Sequence, residues 1–292
     1  MANDKMMAQM SSKDGFIAAL DQSGGSTPGA LRLYGIPDSD YSGDAEMFRL
    51  MHDMRVRIIT APAFSGAKVI AAILFERTMD GEAKGKERGV VPIVKVDKGL
   101  AEEKDGVSLM KPMPDLDTLL ARAAKLGVFG TKMRSVINQA SKAGIAAIVR
   151  QQFEFGEQIA KHGLVPILEP EVSIKSPDKA GAEAILRAEL TKGLESLPAG
   201  RKVMFKLTLP EVPDFYQPLS KDKRVVRVVA LSGGYTRAEA CKRLAQNHAM
   251  IASFSRALAQ DLRRSMSDAE FDAALRSAVD EIYQASAVKV AA

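Results

Sequence analysis

The chain has 292 residues, with 41 Lys and Arg against 36 Asp and Glu and a formal net charge of +5. That length suits one large barrel or two ordinary domains, and the balance of apolar and charged residues is that of a folded protein rather than a disordered one. The small basic excess comes without an RNA-binding signature, an aromatic-interleaved basic run or zinc-finger spacing, so nucleic acid is not an expected partner; the same excess helps to gather a phosphorylated metabolite. The opening MANDKMMAQMSSKDGF lacks the apolar stretch of a signal peptide, and the longest unbroken apolar run, 69–75, is too short to span a bilayer, so no membrane role is expected. Cys241 stands alone, which leaves no intrachain disulfide and suits a reducing cytoplasm. Its helical setting reads as a place for a small buried thiol.

Taken in chain order, strand-like apolar segments fall at 16–20, 71–75, 91–96, 129–133, 164–168, 202–205, 228–231 and 250–254. Helical stretches separate them, a pattern that implies parallel strands with both faces covered. No repeat with a period of about 20 to 50 residues is present, which argues against a solenoid. Eight such units, with no Gly/Ser-rich linker, predict an α/β fold, a single (β/α)₈ TIM barrel over 1–292, with a short N-terminal extension and a C-terminal helix. Ser176-Pro177-Asp178 reads as a helix start with proline at the first helical position. Thr236 with Glu239, and Ser267 with Glu270, read as capping boxes. After the second box Phe271, Ala274, Leu275, Ala278 and Ile282 form one apolar stripe facing the core.

In such a barrel the reactive groups gather at the carboxyl ends of the strands. In order those ends carry Asp21, Glu76, Lys95, Lys132 with Arg134, Glu169 with Glu171, Lys206, Ser232-Gly233-Gly234, and Ser255 with Arg256. Lysines brought close together disfavour one another's charge, and desolvation acts in the same sense. An amine made neutral in this way attacks a carbonyl and forms a Schiff base. Read alone, several of these groups have plainer roles: Lys206 as a strand-end lysine reaching water, Asp21 as a turn or capping residue, Ser232-Gly233-Gly234 as an ordinary turn.

The order and identity of these groups resemble class I fructose-bisphosphate aldolase, the Schiff-base family. The matching stretches are AALDQSGGS (18–26), PIVKVDKG (92–99), GTKMR (130–134), GLVPILEPE (163–171), FKL (205–207), ALSGG (230–234) and SFSRAL (253–258). The resemblance implies that Lys206 forms the iminium with the substrate ketone. It implies that Glu169 helps water leave the carbinolamine and exchanges protons as the iminium forms and breaks, work for a carboxyl held partly protonated. Asp21 takes the C4 hydroxyl proton, and Lys132 positions substrate oxygens and lowers the pKa of Lys206. Glu171 supports the site without exchanging protons, by holding lysines in place. Arg134 is expected as a phosphate or carboxylate clamp. Ser232, Gly233 and Gly234 with Arg256 are expected to hold the C1 phosphate, and Ser23, Ser26 and Lys95 the other. Glu76 and Ser255 are read as structural or supporting.

The implied partner is a phosphorylated sugar, with the chain's own copies as an expected oligomer. No cofactor is implied, and His52, His162 and His248 show no ligand spacing, so no metal is expected. Gln22 stands where many members of the family carry an acid. The chain ends AVKVAA, without the terminal tyrosine that assists proton transfer in eukaryotic members, and Tyr283, in the last helix, reads as structural. Two other functions remain open: a Schiff-base lyase acting on a different aldol, or a silent phosphometabolite-binding scaffold.

Overall fold

In the computed structural model, which describes residues 2–23, 27–80 and 88–291, the alternating apolar runs close into a barrel. Its eight parallel strands are β1 (Phe16–Leu20), β2 (Val69–Leu74), β3 (Val91–Lys95), β5 (Gly130–Ile137), β6 (Val165–Val172), β7 (Val203–Thr208), β8 (Val225–Leu231) and β9 (Met250–Phe254). Pairing of β3 with β5 on one side and of β1 with β9 on the other completes the ring. The remaining strand, β4 (Val107–Ser108), pairs antiparallel with the far end of β5.

Two-residue alternation sorts the side chains. One set packs inward: Ile17 and Ala19 of β1, Val91 and Ile93 of β3, Val165 and Ile167 of β6, Met204 of β7 and Ile251 of β9. Their neighbours, Phe16, Ala18, Val94, Leu168, Phe205 and Phe254, pack outward with the helices. The inward series is apolar in the lower barrel and turns polar one step higher, at Asp21, Lys95, Glu169 and Lys206. Period-two geometry thus carries these four groups to the inside of the mouth.

The floor is closed by α1 (Ala2–Ser12), a helix absent from the strand-and-helix pattern read above. Met6, Met7 and Met10 lie against the lower interior cluster. Gln9 donates to the carbonyls of Ile70 and Gly89, each at 2.7 Å, and Arg227 of β8 donates to those of Met10 and Lys13, each at 3.0 Å.

Around the barrel run α2 (Thr27–Tyr34), α3 (Gly43–Thr60), α4 (Glu76–Asp80), α5 (Leu116–Lys125), α6 (Lys142–Lys161), α7 (Lys179–Glu195), α8 (Gln217–Ser220), α9 (Arg237–Ala245), α10 (Arg256–Ala259) and α11 (Asp268–Ala287). The box at the start of α11 forms in full, Ser267 and Glu270 each capping the other's backbone, and Phe271, Leu275, Ala278 and Ile282 are buried beneath it. At α9 Thr236 caps Glu239 N, while the Glu239 carboxylate pairs with Arg243. The start of α7 differs from expectation: Asp178 is the cap, accepting from Gly181 N at 2.9 Å, and Pro177 precedes it. Cys241 is buried in α9 and burial pushes its thiol up to about 12, an unreactive state at neutral pH. Tyr283 lies on α11 with its ring 5.7 Å from Lys68 Nζ, just before β2 and away from the strand ends that form the mouth. Among the described residues no helix is long and apolar enough to cross a membrane.

Gly130 opens β5 opposite Val165, where a Cβ would stand 2.2 Å from the Val165 carbonyl oxygen. Gly130→Ala is therefore expected to cost about 1–3 kcal/mol by forcing β5 and β6 apart. Urea denaturation measures that loss, and an unchanged midpoint would show that the two strands separate without penalty.

Candidate active site

The strand ends surround a cavity of about 960 Å³ at the top of the barrel. Lys206 projects from β7, Glu169 from β6, Lys132 from β5 and Asp21 from the residue after β1. All four are buried, Lys206 at 4 % exposure and Lys132 and Glu169 at 3 %. Their charged ends are in contact. Lys206 Nζ lies 3.0 Å from one Glu169 oxygen, and Lys132 Nζ lies 3.0 Å from the other and 2.7 Å from Asp21.

A third carboxylate joins them. Asp97 lies 3.8 Å from Lys132 Nζ and 2.7 Å from Lys95 Nζ, and accepts from the backbone N–H groups of Gly99 and Arg134 at 3.2 Å. Asp97 was not assigned a role in the sequence, although KVDKG contains it. Its position two residues beyond Lys95, on the same inward parity, is the signal that identifies it. Lys95, Asp97, Lys132, Asp21, Glu169 and Lys206 form a lattice in which each ammonium touches at least one carboxylate.

That alternation decides the titration. Burial alone would raise the pKa of Asp21, but the charges of Lys132 and Lys206, the hydrogen bond from Lys132 and the charge of Lys95 outweigh it. The carboxyl is held well below the usual range and is ionised at neutral pH. Burial alone would lower Lys132, but Asp21, Glu169 and Asp97 outweigh it and move its pKa upward. Mutual depression among clustered lysines, expected from the sequence, therefore fails for Lys132: the carboxylates between the amines reverse it.

The other expected residues that are described line the same cavity. Arg134 is bound to Glu171 at 2.5 Å, so Glu171 holds an arginine rather than a lysine. Ser23, Lys95, Ser232, Gly233, Gly234 and Arg256 are all in the cavity's lining. Gly233 and Gly234 have φ of +61° and +114°, a left-handed turn closed by Tyr235 N donating to Ser232 O at 2.9 Å. An Arg256 guanidinium nitrogen lies 3.8 Å from where a Gly234 Cβ would stand, so the turn and a cation face one point. Ser26 lies outside the described residues.

One supporting group was not legible beforehand. Arg55, in the apolar stripe of α3, is 1 % exposed and donates to the Gln22 carbonyl. Burial lowers its pKa to about 10, against the charge of Asp21. The Gln22 amide in turn donates to the Ser255 hydroxyl, joining the mouth ends of β1 and β9. Glu76 faces Lys98 at 3.3 Å and Arg122, an ion cluster on the rim. Chemically, the centre offers a buried primary amine beside one carboxylate and an ionised second carboxylate. With cationic and backbone donors for anions lining the same cavity, it suits amine addition to the carbonyl of an anionic substrate.

No family model matches the chain. A curated relative, the Synechocystis protein named fructose-bisphosphate aldolase class 1, is 56 % identical over 292 residues, covering 97 % of each chain. The fold matches that of a fructose-bisphosphate aldolase from Plasmodium falciparum with a TM-score of 0.77 at 20 % identity, over 99 % of this chain and 96 % of that one. A Corynebacterium glutamicum protein matches with a TM-score of 0.57 at 13 % identity, over 97 % and 92 % respectively.

The depressed pKa of Asp21 makes its contribution to stability present above the unfolded value of about 4 and lost as pH falls below it. Lys132, shifted upward, contributes below its unfolded value of about 10.4 and loses that only at more alkaline pH. The stability difference between the wild type and Asp21→Asn, measured in urea, is expected to be level from about pH 5 to 9 and to shrink below about pH 4. A difference that stays level in acid would refute the ion pairing.

Proposed function

This chain belongs to the class 1 fructose-bisphosphate aldolase family, and from that premise we propose that Lys206 is the residue on which its Schiff base forms. The enzyme cleaves fructose 1,6-bisphosphate reversibly to dihydroxyacetone phosphate and glyceraldehyde 3-phosphate, a step of glycolysis and gluconeogenesis. The observation that carries the site assignment is the contact of a buried amine, Lys206 Nζ, with Glu169 at 3.0 Å.

In this reading Lys206 Nζ adds to the C2 ketone to give a carbinolamine. Glu169, in contact with that nitrogen, delivers the proton with which the hydroxyl leaves as water, and the iminium remains. Asp21, ionised beside Lys132, accepts the C4 hydroxyl proton as the C3–C4 bond breaks. The bonding electrons move to the iminium nitrogen and form the enamine, so the cationic nitrogen serves as the electron sink. Glyceraldehyde 3-phosphate departs, the enamine is protonated at C3, and water releases dihydroxyacetone phosphate. Lys132 keeps the two carboxylates oriented while protons move past it.

For the phosphates, the turn Ser232-Gly233-Gly234 with Arg256 takes the C1 group, and Lys95 and Ser23, with Ser26, take the other. Arg134, fixed by Glu171, clamps the anionic substrate from the wall between. The whole chain, 1–292, serves as one catalytic unit in the cytoplasm, a compartment in keeping with its single buried thiol. Its substrate is a phosphorylated sugar, and its expected assembly partners are copies of itself, with neither nucleic acid nor membrane among them.

Borohydride reduction in the presence of dihydroxyacetone phosphate, followed by peptide mass mapping, is expected to place a stable adduct on Lys206, and Lys206→Met is expected to form none. An adduct on another lysine keeps the activity and overturns the assignment. A separate expectation concerns proton transfer: Glu169→Gln should lower kcat by about 10²–10⁴-fold. Steady-state cleavage of fructose 1,6-bisphosphate measures it, and a near-normal kcat would move the acid role elsewhere.

A further inference from the structure

The ring of strands has a seam. Between β6 and β7 the ladder pairs only Ile167 with Met204 and Leu168 with Phe205, although β6 runs on to Val172 and β7 to Thr208. The flanking ladders continue to the top: β5 and β6 pair as far as Ile137 and Val172, β7 and β8 as far as Thr208 and Leu231. The seam therefore opens one residue below Glu169 and Lys206, between the strands that carry them.

Its cause lies in the sequence. In a parallel sheet alternate residues address alternate neighbours. Val165 and Ser173 donate to the β5 side, to the carbonyls of Phe129 and Ile137, so the even positions of β6 address β7. Position 170 is a proline, which has no N–H to give. The next even position, Val172, presents a carbonyl, and the Thr208 hydroxyl donates to it at 2.7 Å. Thr208 is 1 % exposed and shares the inward parity of Met204 and Lys206. Just beyond it, Lys179 of α7 donates to the Leu209 carbonyl at 2.8 Å and so holds the chain from outside.

We propose that Thr208 is a positioning residue for the aldol reaction: its hydroxyl replaces the β6–β7 bond that Pro170 cannot make and keeps Glu169 and Lys206 in contact. The proposal rests on the assignment of those two residues given above. The Glu169–Lys206 pair is itself a polar link across the seam, and the reaction breaks that pair when the amine attacks the ketone. The spacing of the two strands must then be held by a bond that takes no part in the chemistry. A displacement of about 1 Å in such a pair is enough to lower a rate by up to about 10²-fold.

The test compares Thr208→Val, which keeps the shape and removes the hydroxyl, with Thr208→Ser, which keeps the hydroxyl. Expected for Thr208→Val is a fall in kcat for fructose 1,6-bisphosphate of about tenfold or more with KM within about twofold, and slower accumulation of the borohydride-trapped adduct. Thr208→Ser is expected to stay within about twofold of wild type in both constants. Circular dichroism confirms that each variant is folded, and Thr208→Ala takes the place of the valine variant if that one fails to fold. The proposal falls if the folded, hydroxyl-free variant keeps its kcat, or if the serine variant is impaired equally. Mapping the adduct in each variant separates the two readings. An adduct on Lys206 with an unimpaired Thr208→Val removes the proposal alone, whereas an adduct elsewhere removes its premise as well.

Discussion

Three carboxylates share the barrel mouth because one buried ammonium, Lys132 Nζ, stands within ion-pair distance of all of them. Two bare carboxylates about 4 Å apart at an effective dielectric of about 20 repel by about 4 kcal/mol. That is a large part of the roughly 5–15 kcal/mol by which a domain is stable. With Lys132 in place the same groups attract, and Lys95 and Lys206 extend the alternation to either side. The chemistry depends on this arrangement twice: it keeps Asp21 ionised, and it leaves Glu169 with one oxygen for Lys132 and the other for Lys206.

The strand order and the central residues were legible because a barrel converts sequence parity into direction. A run such as Val165-Pro166-Ile167-Leu168-Glu169 announces both a buried strand and the face on which its polar end emerges. The predicted strands at 129–133 and 164–168 stopped too early for the same reason that they were found. An apolar criterion ends at the first polar step, whereas β5 and β6 continue through Arg134 and Glu171, whose charges are paired inside the cavity. Asp97 lay within a recognised motif but past the end of its strand. Arg55 was hidden in the apolar face of a helix, and only the fold shows that its guanidinium reaches the Gln22 carbonyl. Helix α1 was missed because its three methionines have no apolar partner in the local sequence; they meet the interior of the barrel floor.

The division of labour follows the rigidity of the parts. The groups proposed to exchange protons or form the covalent bond stand on strands, or at a strand end, flanked by long ladders such as β5–β6 and β7–β8, where small errors of distance would be costly. Of the groups assigned to the phosphates, Ser23, Ser232, Gly233 and Gly234 stand on loops just beyond the strands, Arg256 opens a short helix and Lys95 ends β3, so that backbone N–H groups and long cationic side chains meet there. Gln22, neutral at a position beside Asp21, joins two of these ends through Ser255 and adds no fourth negative charge to the lattice.

The N-terminal helix also bears on how the barrel is made. Its docking groups are far apart in the chain: Arg227 is separated by 217 residues from Met10 and by 214 from Lys13, whose carbonyls it holds. Met10 and Lys13 precede β1, whereas Arg227 lies in β8, with seven strands between them. Gln9 reaches the nearer carbonyls of Ile70 and Gly89, whereas the bonds from Arg227 need β8 in place. Contacts so distant in sequence slow the final closure, because their loop entropy is lost before they contribute stability. The floor is thus completed by contacts between a helix that precedes β1 and a late strand, and a barrel with that helix undocked exposes its lower apolar interior to water.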